Sequence, residues 1–446
     1  MNNNWKKLFF ISFVFYHSNI FAGGFLLWEQ NGAGVGDYHA GSAVDASDAS
    51  TEYYNPAGLP YIRNKQFVAS LVPVIANVNF NGAIAVSTVN NNTAQPLNDE
   101  QAGGMSLIPN LHYTQPLTPR LSFGLGMNVP YGLETNYSTE TFIRYAATQT
   151  SLQTIDIDPT LGYRITDDFS LGGGLDAVYA NAIFDQYAGY SLLSNADTLS
   201  DNRLHSWGWG YHVGGLYQIT PKSRVGLTYH SKIVEHMKGT SKFSGKLANG
   251  GTGGTQTSNN LSANLYLPPN TTLSGLYDVN DQWRLLASAT YTQWSYIKSL
   301  LLQGMAVIDV QSLDPINNGE VFIQEDFRNT WNVAVGTEYK TSPTTTLRTG
   351  LGYDQSPVRS PTLRYIQTPD ADRYALAVGG QFKPNKKFVF DLGWTHLFII
   401  KAPINSSQTV GVNPENPSPE SETVNVQGDV ISQADVFGLQ FTWNID

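Results

Sequence analysis

Residues able to do covalent or metal chemistry are thinly and irregularly spread along this chain of 446 residues. There is no cysteine, which excludes a disulfide framework and any thiolate metal site. Neither His-Glu-x-x-His nor Gly-x-Ser-x-Gly occurs, and the eight histidines are scattered, a pattern that predicts no enzyme, no metal centre and no cofactor. Gly32, Gly34 and Gly36 have the spacing of a nucleotide loop, but no strand precedes them and no strand–helix–strand unit surrounds them. The spacings with physical consequence are backbone ones. In Val129-Pro130-Tyr131-Gly132-Leu133, Pro130 has no N–H to give to a strand ladder and Gly132 adds freedom. That pattern predicts either a kinked strand or a strand end running into a loop. Asn55-Pro56-Ala57-Gly58 reads as a turn, with Asn and Gly tolerating unusual dihedrals and Pro fixing another.

Composition narrows what elements can carry these residues. Only 14% of the chain is charged, against about 25% in an ordinary soluble domain. Aromatics are abundant, with 9 Trp, 24 Tyr and 21 Phe, beside 41 Gly. A net charge of −10 argues against a nucleic-acid partner. No run of about 18 apolar residues occurs, so no helix of this sequence spans a bilayer.

From about residue 65 onward, apolar residues recur at every second position. Phe169, Leu171, Leu175, Ala177, Tyr179 and Ile183 form one such face, and Phe388, Phe390, Leu392, Trp394 and Phe398 another. Period two means strands with one apolar face. The runs are longer than the usual five or six residues and match the roughly 9–11 that a tilted strand needs to cross a bilayer. Six short turns, at 115–120, 166–168, 220–223, 279–282, 341–345 and 383–387, alternate with seven longer polar segments near 81–102, 133–151, 185–207, 239–259, 301–325, 359–369 and 403–426. This predicts an all-β transmembrane fold of 14 antiparallel strands closed into an outer-membrane barrel. A soluble sandwich or solenoid would need more charge to solvate its outer faces. Trp207, Trp209, Trp283, Trp294, Trp331 and Trp394 lie near strand ends and are expected in the interfacial girdles.

Lys6-Lys7 followed by Leu8–Tyr16 and then Phe21-Ala22 reads as a secretory signal over residues 1–22. Residues 23–64 do not alternate; their low charge and Tyr53, Tyr54, Leu59 and Tyr61 predict a packed plug in the lumen, ahead of a barrel over 65–446.

Taken in chain order, Asn55-Pro56-Ala57, Val129–Leu133, Asp158–Tyr179, Arg224–Ser231, Trp283–Trp294, Phe327–Asp354 and Asp370–Arg373 resemble the long-chain fatty acid transporters of Gram-negative outer membranes. The resemblance covers essentially the whole chain after the signal. It implies a 14-stranded barrel plugged by an N-terminal hatch, which moves long-chain fatty acids or similar hydrophobic molecules passively, with outer-membrane lipid as the other partner and a monomer as the working state. It implies a hatch gate at Asn55, Pro56 and Ala57, and a lateral opening at Pro130, Tyr131 and Gly132. An external groove is implied around Leu192, Leu193 and Leu199. The family holds the cargo head group with basic side chains. Arg328 falls at one such place, but Gln186 stands where an Arg is expected. That departure leaves uncharged aromatic or aliphatic hydrocarbons as an alternative cargo, with a general hydrophilic porin less favoured. Asp446 replaces the usual terminal aromatic.

Overall fold

The computed structural model describes residues 24–88, 91–189, 197–309, 312–410 and 422–445; the signal at 1–22, Leu192, Leu193 and Asp446 lie outside them. Its single sheet contains 21 strand segments. Seven strands are broken once, so the segments make 14 strands. They are β1 (Lys65–Thr88), β2 (Asn91–Gln101 and Gly104–Pro116), β3 (Leu121–Asn128 and Gly132–Asn136), β4 (Gln149–Arg164), β5 (Phe169–Ala188), β6 (Thr198–Thr220) and β7 (Ser223–His230 and Ile233–Gly245). There follow β8 (Thr255–Leu267 and Asn270–Asp278), β9 (Trp283–Thr292 and Ser299–Ile308), β10 (Pro315–Gln324 and Thr330–Ser342), β11 (Thr345–Asp354), β12 (Arg373–Phe382), β13 (Phe388–Ile399 and Ala402–Val410) and β14 (Glu422–Ile445). The ladder closes between β1 and β14, antiparallel from Lys65↔Ile445 upward.

All six short turns fall where the sequence places them. The longer polar segments differ: several are not loops, because strands continue through them. β1 and β2 run on as a hairpin, as do β9 with β10 and β13 with β14. Above the membrane both faces of a hairpin meet water or other loops, so polar residues there conceal strands that satisfy their backbones all the same.

The barrel is inside-out relative to a soluble protein. On β14, Leu439 is 44% and Trp443 42% exposed on the outer face, while Gln440 and Thr442 between them are buried. Leu175, Leu392 and Val335 likewise face outward, and the lumen holds Arg348 bonded to Glu338 at 2.9 Å and to Asp391 at 2.6 Å. An outer surface of exposed Leu, Val and Trp is stable only against lipid. Trp294 departs from the girdle expectation. It is fully buried and turned into the lumen by the short 3-10 turn Trp294–Tyr296, which interrupts β9, and its ring packs edge-on against Phe25 at 4.8 Å.

Residues 24–64 fill the lumen. They form the 3-10 turn Gly34–Asp37, the one-turn helix α1 (Thr51–Tyr54) and the 3-10 turn Pro56–Tyr61. Polar wall residues hold this hatch: Gln440 Oε1 accepts the N–H groups of Gly32 and Ala33, both at 3.1 Å, and Thr395 Oγ1 donates to the Val35 carbonyl at 2.6 Å. Inward-facing glycines let the hatch backbone approach. A Cβ at Gly226 would sit 1.9 Å from the Ala43 carbonyl oxygen, and one at Gly350 2.1 Å from that of Asp37.

Gly226→Val is therefore expected to dislodge the hatch without opening the barrel: heat-modifiable mobility on gels stays, and sensitivity of the host to bulky hydrophilic antibiotics rises. Gly275→Val, where nothing lies within 4 Å of the added carbon, should change neither.

Candidate functional site

At Pro130, where the sequence left a kink or a strand end, β3 is interrupted between Asn128 and Gly132 and then resumes, and the wall is broken there. Below it, β2 and β3 pair from Pro116↔Ser122 up to Leu111↔Met127. Above it, the Gly132–Asn136 segment pairs with β4 only, and Gly104–Asn110 of β2 pairs with β1 only, among the described residues. The two edges approach again at the Asn136 N–H, 3.3 Å from the Ala102 carbonyl. The result is a window in the β2–β3 seam.

A window leaves backbone groups without ladder partners, and the hatch supplies them. Phe25–Leu27 lies along the kink: the Gly132 N–H donates to the Phe25 carbonyl and the Leu27 N–H to the Pro130 carbonyl, each at 2.9 Å. Gln30, fully buried, clamps the next residue by both ends of its amide. Its Nε2 donates to the Val129 carbonyl at 2.8 Å, and its Oε1 accepts the Val129 N–H at 2.9 Å. On the opposite edge, Asn110 Nδ2 donates to the Glu29 carbonyl at 2.9 Å. Sequence reasoning missed Gln30. The available signal was a polar residue closing the apolar run Phe25-Leu26-Leu27-Trp28.

Tyr131, at the centre of the kink, is buried; its hydroxyl donates to the Pro268 carbonyl at 2.7 Å, in the break of β8. Asn55, Pro56 and Ala57 sit elsewhere. Asn55 Nδ2 donates to the carbonyls of Ala43 (2.6 Å) and Gly215 (3.1 Å), its Oδ1 accepts the Ala57 N–H at 3.1 Å, and Ser170 Oγ donates to the Ala57 carbonyl at 2.6 Å. The motif thus docks on β5 and β6, while Glu52 of α1 and Gln30 reach the strands that flank the window: Glu52 contacts His112 of β2 at 2.7 Å and Asn128 of β3 at 3.3 Å.

Above the N-terminal stretch lies an apolar cavity of about 1060 Å³, its open mouth included. Gly24 and Phe25 line it, with Leu133 and Leu152 from β3 and β4, Met237 and Leu265 from β7 and β8, Ile297, Ile323 and Phe327 from β9 and β10, and Val358 and Tyr365 from the segment before β12. Phe25 therefore touches both cavity and kink. The lining contains no Lys, Arg or His. Two acids line it: Asp370, paired to the buried Arg373 behind it, and Glu325, 9% exposed, with Oε2 lacking a hydrogen-bond partner. Glu325 follows the upper segment of β10, beyond the membrane-crossing pair Trp283–Thr292 and Thr330–Ser342, and burial pushes its carboxyl up to about 8.

Arg328 does not line this cavity. Its Nε donates to the Ser356 carbonyl at 3.0 Å and its Nη2 lies 3.5 Å from Asp372, with the side chain 40% exposed, although its neighbours Phe327 and Pro357 do line the cavity. Gln186 is half-buried on β5, its backbone opposite Ser200, and is also outside the lining. Leu199 is half-buried at the start of β6, opposite Tyr187.

Comparisons with known proteins agree with this architecture. The family model described as Outer membrane protein transport protein (OMPP1/FadL/TodX) matches residues 13–445. The long-chain fatty acid transport protein of Escherichia coli O6:H1 (strain CFT073) is 28% identical over 425 residues, covering 88% of this chain and 90% of that protein. Outer membrane protein P1 of Haemophilus influenzae (strain Rd) is 27% identical over 467 residues, 95% of each. Among solved structures, a Pseudomonas aeruginosa FadL homologue superposes with a TM-score of 0.80 at 25% identity, covering 95% of this chain and all of that one. The Ralstonia pickettii toluene transporter TbuX, with a TM-score of 0.66 at 16% identity over 94% of this chain and all of that one, shares the fold.

Removing the Gln30 amide leaves both Val129 backbone groups unpaired, at about 1–3 kcal/mol each. Gln30→Ala is expected to speed hydrogen exchange at Val129 and expose the 24–30 stretch to protease. Gln30→Glu, which keeps an acceptor for the N–H but no donor for the carbonyl, should fall between it and the parent chain.

Proposed function

The chain belongs to the outer-membrane transport family OMPP1/FadL/TodX, and on that footing we propose that it carries long-chain fatty acids and related hydrophobic molecules, which its cavity holds in their uncharged form. As a member of this family it is an outer-membrane transport protein of a Gram-negative bacterium and not an enzyme. The cargo comes from relatives whose names give long-chain fatty acids. The uncharged form rests on one observation: an apolar cavity whose lining offers the acids Glu325 and Asp370 and no cation, Arg373 behind it being already paired to Asp370.

The physics favours a neutral head group. A carboxylate brought into this cavity would lose its hydration and meet no free positive partner in the lining, Arg373 being taken by Asp370, a cost of several kcal/mol. A protonated acid, an alcohol or a hydrocarbon avoids that cost. Below about 8 the Glu325 carboxyl is itself protonated, and a protonated carboxyl both donates and accepts, so it can pair with a neutral acid or alcohol. Arg328, paired to Asp372 beside the cavity, is left as a contact for cargo on its way in and not as its seat. The route we propose runs from the outer loops, where Leu199 is the described part of the groove, into the cavity. From there it passes the Phe25–Leu27 stretch, with Asn55, Pro56 and Ala57 seating the hatch that must yield, and leaves through the window at Pro130, Tyr131 and Gly132. The lateral exit spares the cargo the polar lumen below. The lack of a lining cation and Gln186 favour a second reading, in which uncharged hydrocarbons are the main cargo.

Binding measured in lipid nanodiscs, where no detergent competes for the cavity, separates these cases. Affinity for a neutral long-chain alcohol is expected to be flat below pH about 8 and to fall above it as Glu325 ionises; Glu325→Gln should flatten the profile. Oleic acid should weaken with rising pH even in Glu325→Gln, through its own ionisation. Oleate binding that is indifferent to pH, or stronger at high pH, would contradict the uncharged-cargo reading. Because the unfolded carboxyl ionises at about 4.3 and the folded one holds its proton to about 8, the folded state binds more protons between those values. Stability therefore declines as pH rises through that window, and Glu325→Gln removes this slope.

A further inference from the structure

Away from the cargo cavity, the lumen gathers acids and histidines from neighbouring strands. Asp156 and Asp158 come from β4, Asp176 from β5, His212 from β6 and His230 from the top of the first segment of β7. One donor atom from each of Asp176, His212 and His230 lies within 4.8 Å of the others, and the same holds for Asp156, Asp158 and Asp176. Asp176 belongs to both groups.

Three features of this cluster point to a ligand. First, Asp176 Oδ1 and His212 Nδ1 are 2.5 Å apart. A carboxylate that accepts the Nδ1–H fixes the ring tautomer and leaves Nε2 with a free lone pair, the arrangement that orients metal-binding histidines. His212 is fully buried and its Nε2 has no hydrogen-bond partner. Second, Asp156 Oδ1, on a residue 3% exposed, also lacks a partner, and the fully buried Asp158 carboxyl meets another carboxyl, that of Glu52. Third, the charges do not balance. Glu52 of the hatch joins these three aspartates through Asn128, whose Nδ2 donates to Glu52 at 3.3 Å and to Asp158 at 3.0 Å. The ion-pair partners of these four carboxylates are His112 and His212, with no Lys or Arg, among the described residues.

We propose that His212 and His230, with Asp176 holding the His212 ring from behind and Asp156 and Asp158 on their flank, form a divalent transition-metal site in the barrel lumen. Imidazole nitrogens mixed with carboxylate oxygens suit zinc and its neighbours, whereas magnesium and calcium favour oxygen-only sets. The His212 and His230 rings are near-parallel, 5.1 Å apart, and the Tyr53 ring of α1 packs on His230 at 4.8 Å. A cation here screens the clustered carboxylates at the place where the hatch meets β3–β7, and so stiffens the seating of α1.

The test uses the full mature chain without a histidine tag, refolded with Zn²⁺ present so that slow diffusion into the lumen does not mask a site, then desalted and assayed for metal by elemental analysis. About one zinc retained per chain is expected. His212→Ala and Asp176→Asn should each weaken retention at least tenfold, while His205→Ala, outside the cluster, should not. Co²⁺ in the parent protein should show the visible bands of a nitrogen- and oxygen-ligated ion, a readout that stands if a variant fails to fold. Zinc retained equally by parent and variants, or no zinc and no cobalt bands in a heat-modifiable parent barrel, overturns the site and leaves a proton-sharing network.

Discussion

Backbone hydrogen bonding in lipid governs this structure. A strand in a bilayer finds no water for its N–H and C=O groups, so each must be met by a neighbouring strand or by something else inside the protein. Fourteen strands meet that demand by closing β1 on β14. The seam between β2 and β3 is the exception, and it shows the cost of an opening. Where Pro130 turns the strand away, the wall loses its ladder, and the hatch provides the missing partners through Phe25, Leu27, Gln30 and the Glu29 carbonyl. Plug and window are therefore one device: the window is tolerable because the plug's first residues satisfy its edge.

The second constraint follows from the reversed polarity of a barrel in lipid. With Leu, Val and Trp facing outward, the lumen carries the polar load, and its contents sort by height. The upper lumen is apolar and holds the cavity with Glu325; the hatch and the wall around it hold ion pairs, histidines and buried acids. On the proposed route, hydrophobic cargo in the cavity meets an unfavourable polar path below and the window at its side. Solvation thus favours the lateral path over the lumen on that route.

The turns and the strand number were legible in the sequence because Pro, Asn and Asp mark tight reversals and because alternation survives wherever one face meets lipid. Alternation fails above the membrane, which is why the β13–β14 hairpin through Ala402–Val410 and Glu422 looked like loop. Trp294 was misplaced because a local 3-10 turn breaks the period on which its assignment relied. Pro130 and Gly132 could be read because backbone chemistry is local. Gln30 could not, since its partner Val129 is 99 residues away; nor could Glu325, whose surroundings are assembled from seven strands, the hatch and a loop. The histidines at 212 and 230, eighteen residues apart in the chain, meet in space because adjacent strands bring them into register, while His112 of β2 reaches the hatch through Glu52.

The central claim is that hydrophobic cargo leaves through the wall at the kinked strand. It is tested most directly by uptake of labelled oleic acid in a Gram-negative host lacking its own long-chain transporter, comparing the parent chain with Pro130→Ala/Gly132→Ala at equal levels of heat-modifiable barrel. The account predicts that the parent restores uptake and that the double variant, with its ladder donor returned and its strand stiffened, loses most of it. Equal uptake by both would contradict a lateral exit at this strand.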